Sequence, residues 1–109
     1  MGRLTLSTDV LGLVAERFKA LSEPARLQLL MAMQMEELSV NQLVDRTRLG
    51  QANVSKHLQV LHAHGFVRRR KEGLFVYYGL ADRSVLKLCD LMCGRLEAQL
   101  DAQKRLLSA

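Results

Sequence analysis

Tryptophan is absent from this chain, proline occurs once and cysteine twice, and the aromatics amount to three Phe and two Tyr in 109 residues. With so little proline and so much Leu, Ala, Gln, Glu, Lys and Arg, a mostly helical fold is favoured. No run approaches the roughly 18 consecutive apolar residues of a membrane-spanning helix. The N-terminus has Arg3 and then Thr, Ser and Asp, without the apolar run and small-residue cleavage site of a secretory signal. A cytoplasmic location is therefore expected. Thiols stay reduced there, so Cys89 and Cys93 are read as free thiols and not as a structural disulfide. Also missing are a nucleophile–base pair, a phosphate-cradling glycine loop and a metal-ligand cluster of suitable spacing, which argues against an enzyme. No repeat, low-complexity segment or interdomain linker interrupts residues 1–109, which are read as a single domain.

One further absence is local. Between Arg46 and Lys71 there is no Asp or Glu, while seven Lys or Arg residues fall in those 26 positions. The whole chain is +5 and this stretch is +7, so the remainder carries −2. A basic charge concentrated in this way is the pattern of a surface that faces a polyanion, here nucleic-acid phosphate.

Apolar periodicity lays out the rest. Leu11, Val14, Phe18 and Leu21 mark one buried face of a helix over 8–21, with Thr8 or Asp9 as its cap. Ser22-Glu23-Pro24 opens a second helix reaching about Met35, apolar on most faces and so expected to be central. Met31, Met33 and Met35 are read there as core filler. Ser39 caps a short helix to about Arg46 that buries Val40, Leu43 and Val44. A turn follows at Thr47–Gly50, with Gly50 expected to take the backbone conformation most residues avoid. The helix from Gln51 to about His64 buries Val54, Leu58 and Leu61 and ends at Gly65. Runs at 66–71 and 74–80 around Glu72-Gly73 read as a hairpin. Asp82 caps a long last helix to about Leu107. This is a mainly α fold with a small β-hairpin, α1-α2-α3-α4-β-β-α5: a winged helix-turn-helix, with the helix-turn-helix at about 39–64 and the wing at about 66–80.

In such a motif the second helix enters the major groove, and residues near its N-terminus meet base edges. Gln51, Asn53, Ser55 and Lys56 are the small or bidentate polar side chains this needs. His57, beside the apolar stripe, has three readings: a base contact, a metal ligand, or a group packed and hydrogen-bonded at the helix surface. Arg68, Arg69, Arg70 and Lys71 of the wing would supply phosphate contacts. Strand alternation implies that the four do not all point the same way, so that about two touch DNA.

The strings ALSEPARLQLL and ELSVNQLVDRTRLGQANVSKHLQVLHAHGFVRRRKEGLFVYYGLAD resemble the ArsR/SmtB family of bacterial repressors over roughly residues 14–100. The resemblance implies a homodimer built on the first and last helices, about 8–21 and 82–107. It also implies an inverted-repeat operator and release from double-stranded DNA when a metal or other inducer binds. The family's arsenic ligands, a Cys-x-Cys at the start of the first helix of the motif, are missing, since that segment is Glu37-Leu38-Ser39-Val40-Asn41. Its zinc ligands on the last helix are also broken: Asp82 matches, but the other positions carry Ser84 and, near the later two, Arg95 and Ala98. Asp82 is thus read as a cap.

Cys89 and Cys93 remain. Four residues apart on a helix, they share one face about one turn apart. Three roles stay open: a site for a thiophilic metal or metalloid such as As(III), Sb(III) or Hg(II); sensing of redox or reactive sulfur; or packing of a dimer interface as small hydrophobes. An intrahelical disulfide is disfavoured by parallel Cβ vectors. The leading expectation is thus an inducible repressor, and the alternative is an architectural or protein-interaction module that senses nothing.

Overall fold

The computed structural model describes residues 5–108. Five helices and a three-stranded antiparallel sheet follow one another as α1 (Thr8–Leu21), α2 (Pro24–Ala32), β1 (Leu38–Ser39), α3 (Val40–Thr47), α4 (Gln51–Ala63), β2 (Val67–Glu72), β3 (Phe75–Leu80) and α5 (Ser84–Ser108). The winged helix-turn-helix is therefore present. The hairpin is one strand short of the real sheet, because β1 pairs with β3 through Leu38 opposite Tyr78 and Ser39 opposite Tyr77. Two residues are too few to show an alternating pattern, so β1 left no periodic signal in the sequence.

The core is a single cluster in which α2, α3 and α4 meet the base of the sheet: Leu29, Leu30, Met33, Leu38, Leu43, Val54, Leu58 and Leu61 are almost wholly buried. Helix α2 stops at Ala32, three residues short of the expected end, and only one side of it is covered. Met33 fills core space as expected, whereas Met31 is partly exposed and Met35 is 90% exposed. The face of α1 expected to be buried is likewise open along most of its length, Leu11 and Phe18 being about half exposed. Ser7, not Thr8 or Asp9, caps that helix, accepting from Val10 N.

Caps position α4. Ser39 and Gln42 form a capping box at the start of α3, each side chain bonded to the other's backbone N–H. At the other end of α3, Arg48 and not Gly50 takes the left-handed conformation, at φ 63°. Gly50 is extended and serves as the N-cap of α4. The turn demands a positive φ at the residue that closes α3, and Arg48 occupies that place. Gly65 follows the end of α4 at φ 76°, and Arg17 of α1 donates to the His64 carbonyl while its guanidinium lies 4.5 Å from the centre of the Phe66 ring. Asp82 accepts from the backbone N and the hydroxyl of Ser84, which also holds its carboxyl below the usual carboxylate range. Its reading as a cap is met.

Gly79 is the tightest point of the sheet. A Cβ there would sit 2.9 Å from Glu37 Cγ and 3.2 Å from an Arg68 nitrogen. Gly79→Ala should therefore push Glu37 and Arg68 aside and cost about 1–3 kcal/mol. The measurement is the thermal midpoint of Gly79→Ala, alone and combined with Glu37→Ala. A loss that is strongly sub-additive in the double variant is expected, and an unchanged midpoint in the single variant would refute the contact.

Candidate nucleic-acid interface and thiol cleft

Helix α4 turns Val54, Leu58 and Leu61 into the core and leaves Gln51, Asn53, Lys56 and Gln59 exposed. Ser55 lies half-buried at the edge of that face. His57 is placed elsewhere. It is half-buried toward α2, where its Nδ1 accepts from Arg26 Nε at 3.1 Å, and the same arginine donates to Ala20 O at 3.2 Å. Burial first, and then the Arg26 charge, lowers the His57 pKa, with Lys56 adding to the effect and Glu23 opposing it. Of its three readings, the packed and hydrogen-bonded one is what the geometry gives; among the described residues no three His, Cys, Asp or Glu groups converge on a metal position.

The wing splits as strand alternation requires. Arg68 and Arg70 share one face of β2 with Glu72, and both reach back to Glu37, which immediately precedes β1: Arg68 Nε lies 3.5 Å and Arg70 Nε 3.2 Å from its carboxylate. Arg68 also donates to Leu80 O at 2.7 Å, and Arg70 pairs with Glu72 and lies 4.9 Å over the Tyr77 ring. Arg69 and Lys71 emerge on the opposite face, the one that carries Val67 into the core. Arg46 is taken by Glu36 at 2.8 Å. Of the seven basic residues, Arg48, Lys56, Arg69 and Lys71 alone pair with no carboxylate among the described residues. Arg48, exposed in the turn just before α4, was not singled out in the sequence. Its signal was its place in the acid-free run.

Cys89 and Cys93 are both free, the first half-buried and the second exposed. They line an open cleft of about 470 Å³ between the C-terminal end of α2 and the first turns of α5, together with Met31, Gln34, Lys87 and Asp90. Arg83 ties the two elements at its edge by donating to Gln34 O at 3.0 Å. Burial, and secondarily the neighbouring Cys93, pushes the Cys89 thiol above its usual pKa. Beyond the cleft α5 is exposed from Asp90 to Ser108, and Leu91, Met92, Leu96 and Leu100 are uncovered among the described residues.

A capped turn, an exposed polar helix face and a basic hairpin beside it define a winged helix-turn-helix domain. Residues 23–69 match the model of the bacterial regulatory protein arsR family. Over 83 residues the chain is 37% identical to the transcriptional repressor SmtB homolog of Synechocystis, covering 76% of this chain and 63% of that protein. It thus spans less than two thirds of that relative. It is 38% identical over 74 residues to the transcriptional activator HlyU of Vibrio cholerae, 68% of each. Among solved structures it resembles the homodimeric winged helix-turn-helix DNA-binding domain of Mb0332 from Mycobacterium bovis, a possible ArsR-family transcriptional regulator, with TM-score 0.77, 30% identity, and coverage of 93% and 94% of the two chains. The chain belongs to the ArsR family.

Two predictions come from this geometry. Arg69→Ala should flatten the slope of log K against log salt by about 0.9 per protomer, whereas Arg70→Ala, whose charge is already neutralised, should change it by clearly less; equal slopes would sink the partition. His57 gives a pH dependence. The unfolded chain takes up a proton near pH 6.5 and the fold resists it, so the stability this group contributes is present above about 6.5 and is lost as pH falls toward its lowered folded pKa. Between pH 7.5 and 5.5 the thermal midpoint should drop more in the wild type than in His57→Asn, and parallel drops would remove His57 as the source.

Proposed function

We propose that this protein is a homodimeric, sequence-specific transcriptional repressor that leaves its operator when an inducer engages Cys89 and Cys93. The observation that carries the DNA half is the exposed polar face of α4 beside four cations that no carboxylate neutralises. Gln51 and Asn53 suit bidentate contacts to adenine, Lys56 guanine or phosphate, and Ser55, on the edge, either. Arg69 and Lys71 anchor phosphate from the wing, and Arg48 joins them from the turn. Arg68 and Arg70 are assigned to holding the wing in shape, and His57 to setting the tilt of α4 on α2.

Dimerisation is supported by the apolar surface the chain leaves bare. Phe18 of α1 and Leu88, Met92 and Leu96 of α5 are too large and too contiguous for water. An open groove of about 310 Å³ runs between these helices, lined by Val14, Phe18, Leu21, Phe66, Val85 and Leu88. A second copy would cover both, and its two-fold axis would read an inverted repeat. Repression follows from occupancy of such a site by exclusion.

For the inducer, the raised Cys89 pKa argues against redox or sulfur sensing, which works through exposed, low-pKa thiolates. A thiophilic ion that displaces the Cys89 thiol proton and takes the neighbouring Cys93 as a second ligand suits this pair better. The test is a gel shift with the DNA upstream of the protein's own gene, in excess unrelated DNA and with arsenite added. Specific binding abolished by arsenite in the wild type, and retained in Cys89→Ser and Cys93→Ser, is expected. Equal affinity for unrelated DNA would favour an architectural protein instead, and release from both serine variants would end the thiol assignment.

A further inference from the structure

Met31 does not behave as core filler. It is 38% exposed where Met33, two residues on, is 2% exposed, and its thioether accepts from Gln34 Nε2 at 3.4 Å. It borders the same cleft as Cys89 and Cys93. Three sulfur side chains therefore surround one open space: two on α5, one turn apart, and one on α2. The methionine stem, with three rotatable bonds, can follow an occupant.

This donor set selects its ligand. With no three His, Cys, Asp or Glu groups converging among the described residues, a borderline dication such as Zn²⁺ has no ligand cluster to enter. Arsenite can take Cys89 and Cys93 as two of its sulfur ligands, but the third sulfur within the protomer is a thioether and not a thiol. Thioethers with thiolates suit soft monovalent cations, Cu(I) above all.

We propose that Met31 completes, with Cys89 and Cys93, a three-sulfur site for a soft monovalent cation of the Cu(I) class that clasps α2 to α5 within one protomer. The proposal rests on the thiol reading above and adds the third ligand and the ion class. Binding is ligation without electron transfer: Cu(I) takes both thiolates and the thioether, and two protons leave. The site would then carry one net negative charge, with Lys87 and Asp90 of opposite sign on the rim. The thioether also gives the signal a direction. An ion held by the cysteines alone acts on α5, whereas one held by Met31 as well pulls on the helix whose Arg26 holds His57 of α4.

The test is a competition titration of reduced protein with Cu(I) against a chromophoric Cu(I) chelator, under anaerobic conditions. Wild type should take one equivalent per protomer. Met31→Leu, which keeps the side-chain volume, should lose about tenfold or more in affinity while still binding the operator, and Cys89→Ser and Cys93→Ser should lose far more. X-ray absorption of the Cu(I)-loaded wild type should count three sulfur neighbours, which keeps the proposal testable even if Met31→Leu is poorly folded. Two sulfurs, or wild-type affinity in Met31→Leu while both serine variants fail, overturns the role of Met31 and leaves the thiol reading standing. Wild-type affinity in the serine variants overturns both.

Discussion

Burial of one side of α2 is the constraint on which everything else depends. The helix has nine residues, too few to hold together in water unaided, and it persists because Leu29, Leu30 and Met33 are packed beneath α3, α4 and the sheet. Fully burying a side chain of that kind contributes roughly 1.5–3 kcal/mol, so three together outweigh the weak propensity of so short a segment. Its remaining faces are then available for contacts with other parts of the molecule. Arg26 reaches His57 on α4, Met31 looks into the cleft, and the segment just beyond it receives Arg83, which precedes α5.

Electrostatics is divided with similar economy. A hairpin carrying Arg68, Arg69, Arg70 and Lys71 in succession would repel itself if every charge were free. Glu37, half-buried beside β1, takes two of them, and Arg69 and Lys71 on the other side of the strand carry no such pair among the described residues. Exposed ion pairs of this sort contribute little stability, about 0–1 kcal/mol each. Their value here lies in direction: they fix which arginines of the wing are engaged within the protein and which stay unpaired among the described residues. Gly79 belongs to the same device, since only a residue without a side chain lets Arg68 lie across the sheet to Leu80 O.

Much of this was readable in the sequence, for reasons that also explain what was not. Helix positions followed from apolar spacing and capping residues, which are local, and the wing from its β-branched and aromatic runs around Glu72-Gly73. What escaped depends on partners distant in sequence. Glu37 and Arg70 are 33 residues apart, and Arg26 and His57 31 apart. Neither pairing has a local signature, so the engagement of Arg68 and Arg70 with Glu37 and of His57 with Arg26 cannot be read from the sequence. Gly50 was credited with the unusual backbone because glycine is the default there, yet Arg48 carries it, and a left-handed arginine cannot be told from any other by composition. The apolar face read as buried on α1 is a real stripe, but of its four residues only Leu21 is buried among the described residues, and the outer part of α5, read as a dimer face, is exposed there.

That last discrepancy bears on how a signal would travel. The chain's radius of gyration is 17.0 Å, against roughly 13 Å for a compact fold of this length, because α5 extends away from the core with its apolar residues bare. Along such a helix one end is fixed by Val85 in the core and the far part is exposed, while Cys89 and Cys93 lie at the transition between them. An occupant of the cleft therefore acts at a hinge. On the proposed reading, holding α5 to α2 would set the angle at which the far part of α5 meets a second copy, and with it the separation of the two α4 helices. Two recognition helices fit successive major grooves only when about 34 Å apart, so a small rotation at the cleft, lengthened along α5, suffices to take them out of register. The differential that an inducer needs in order to shift the equilibrium would then be geometric: a tighter fit to the arrangement in which the sulfurs converge than to the one that fits DNA.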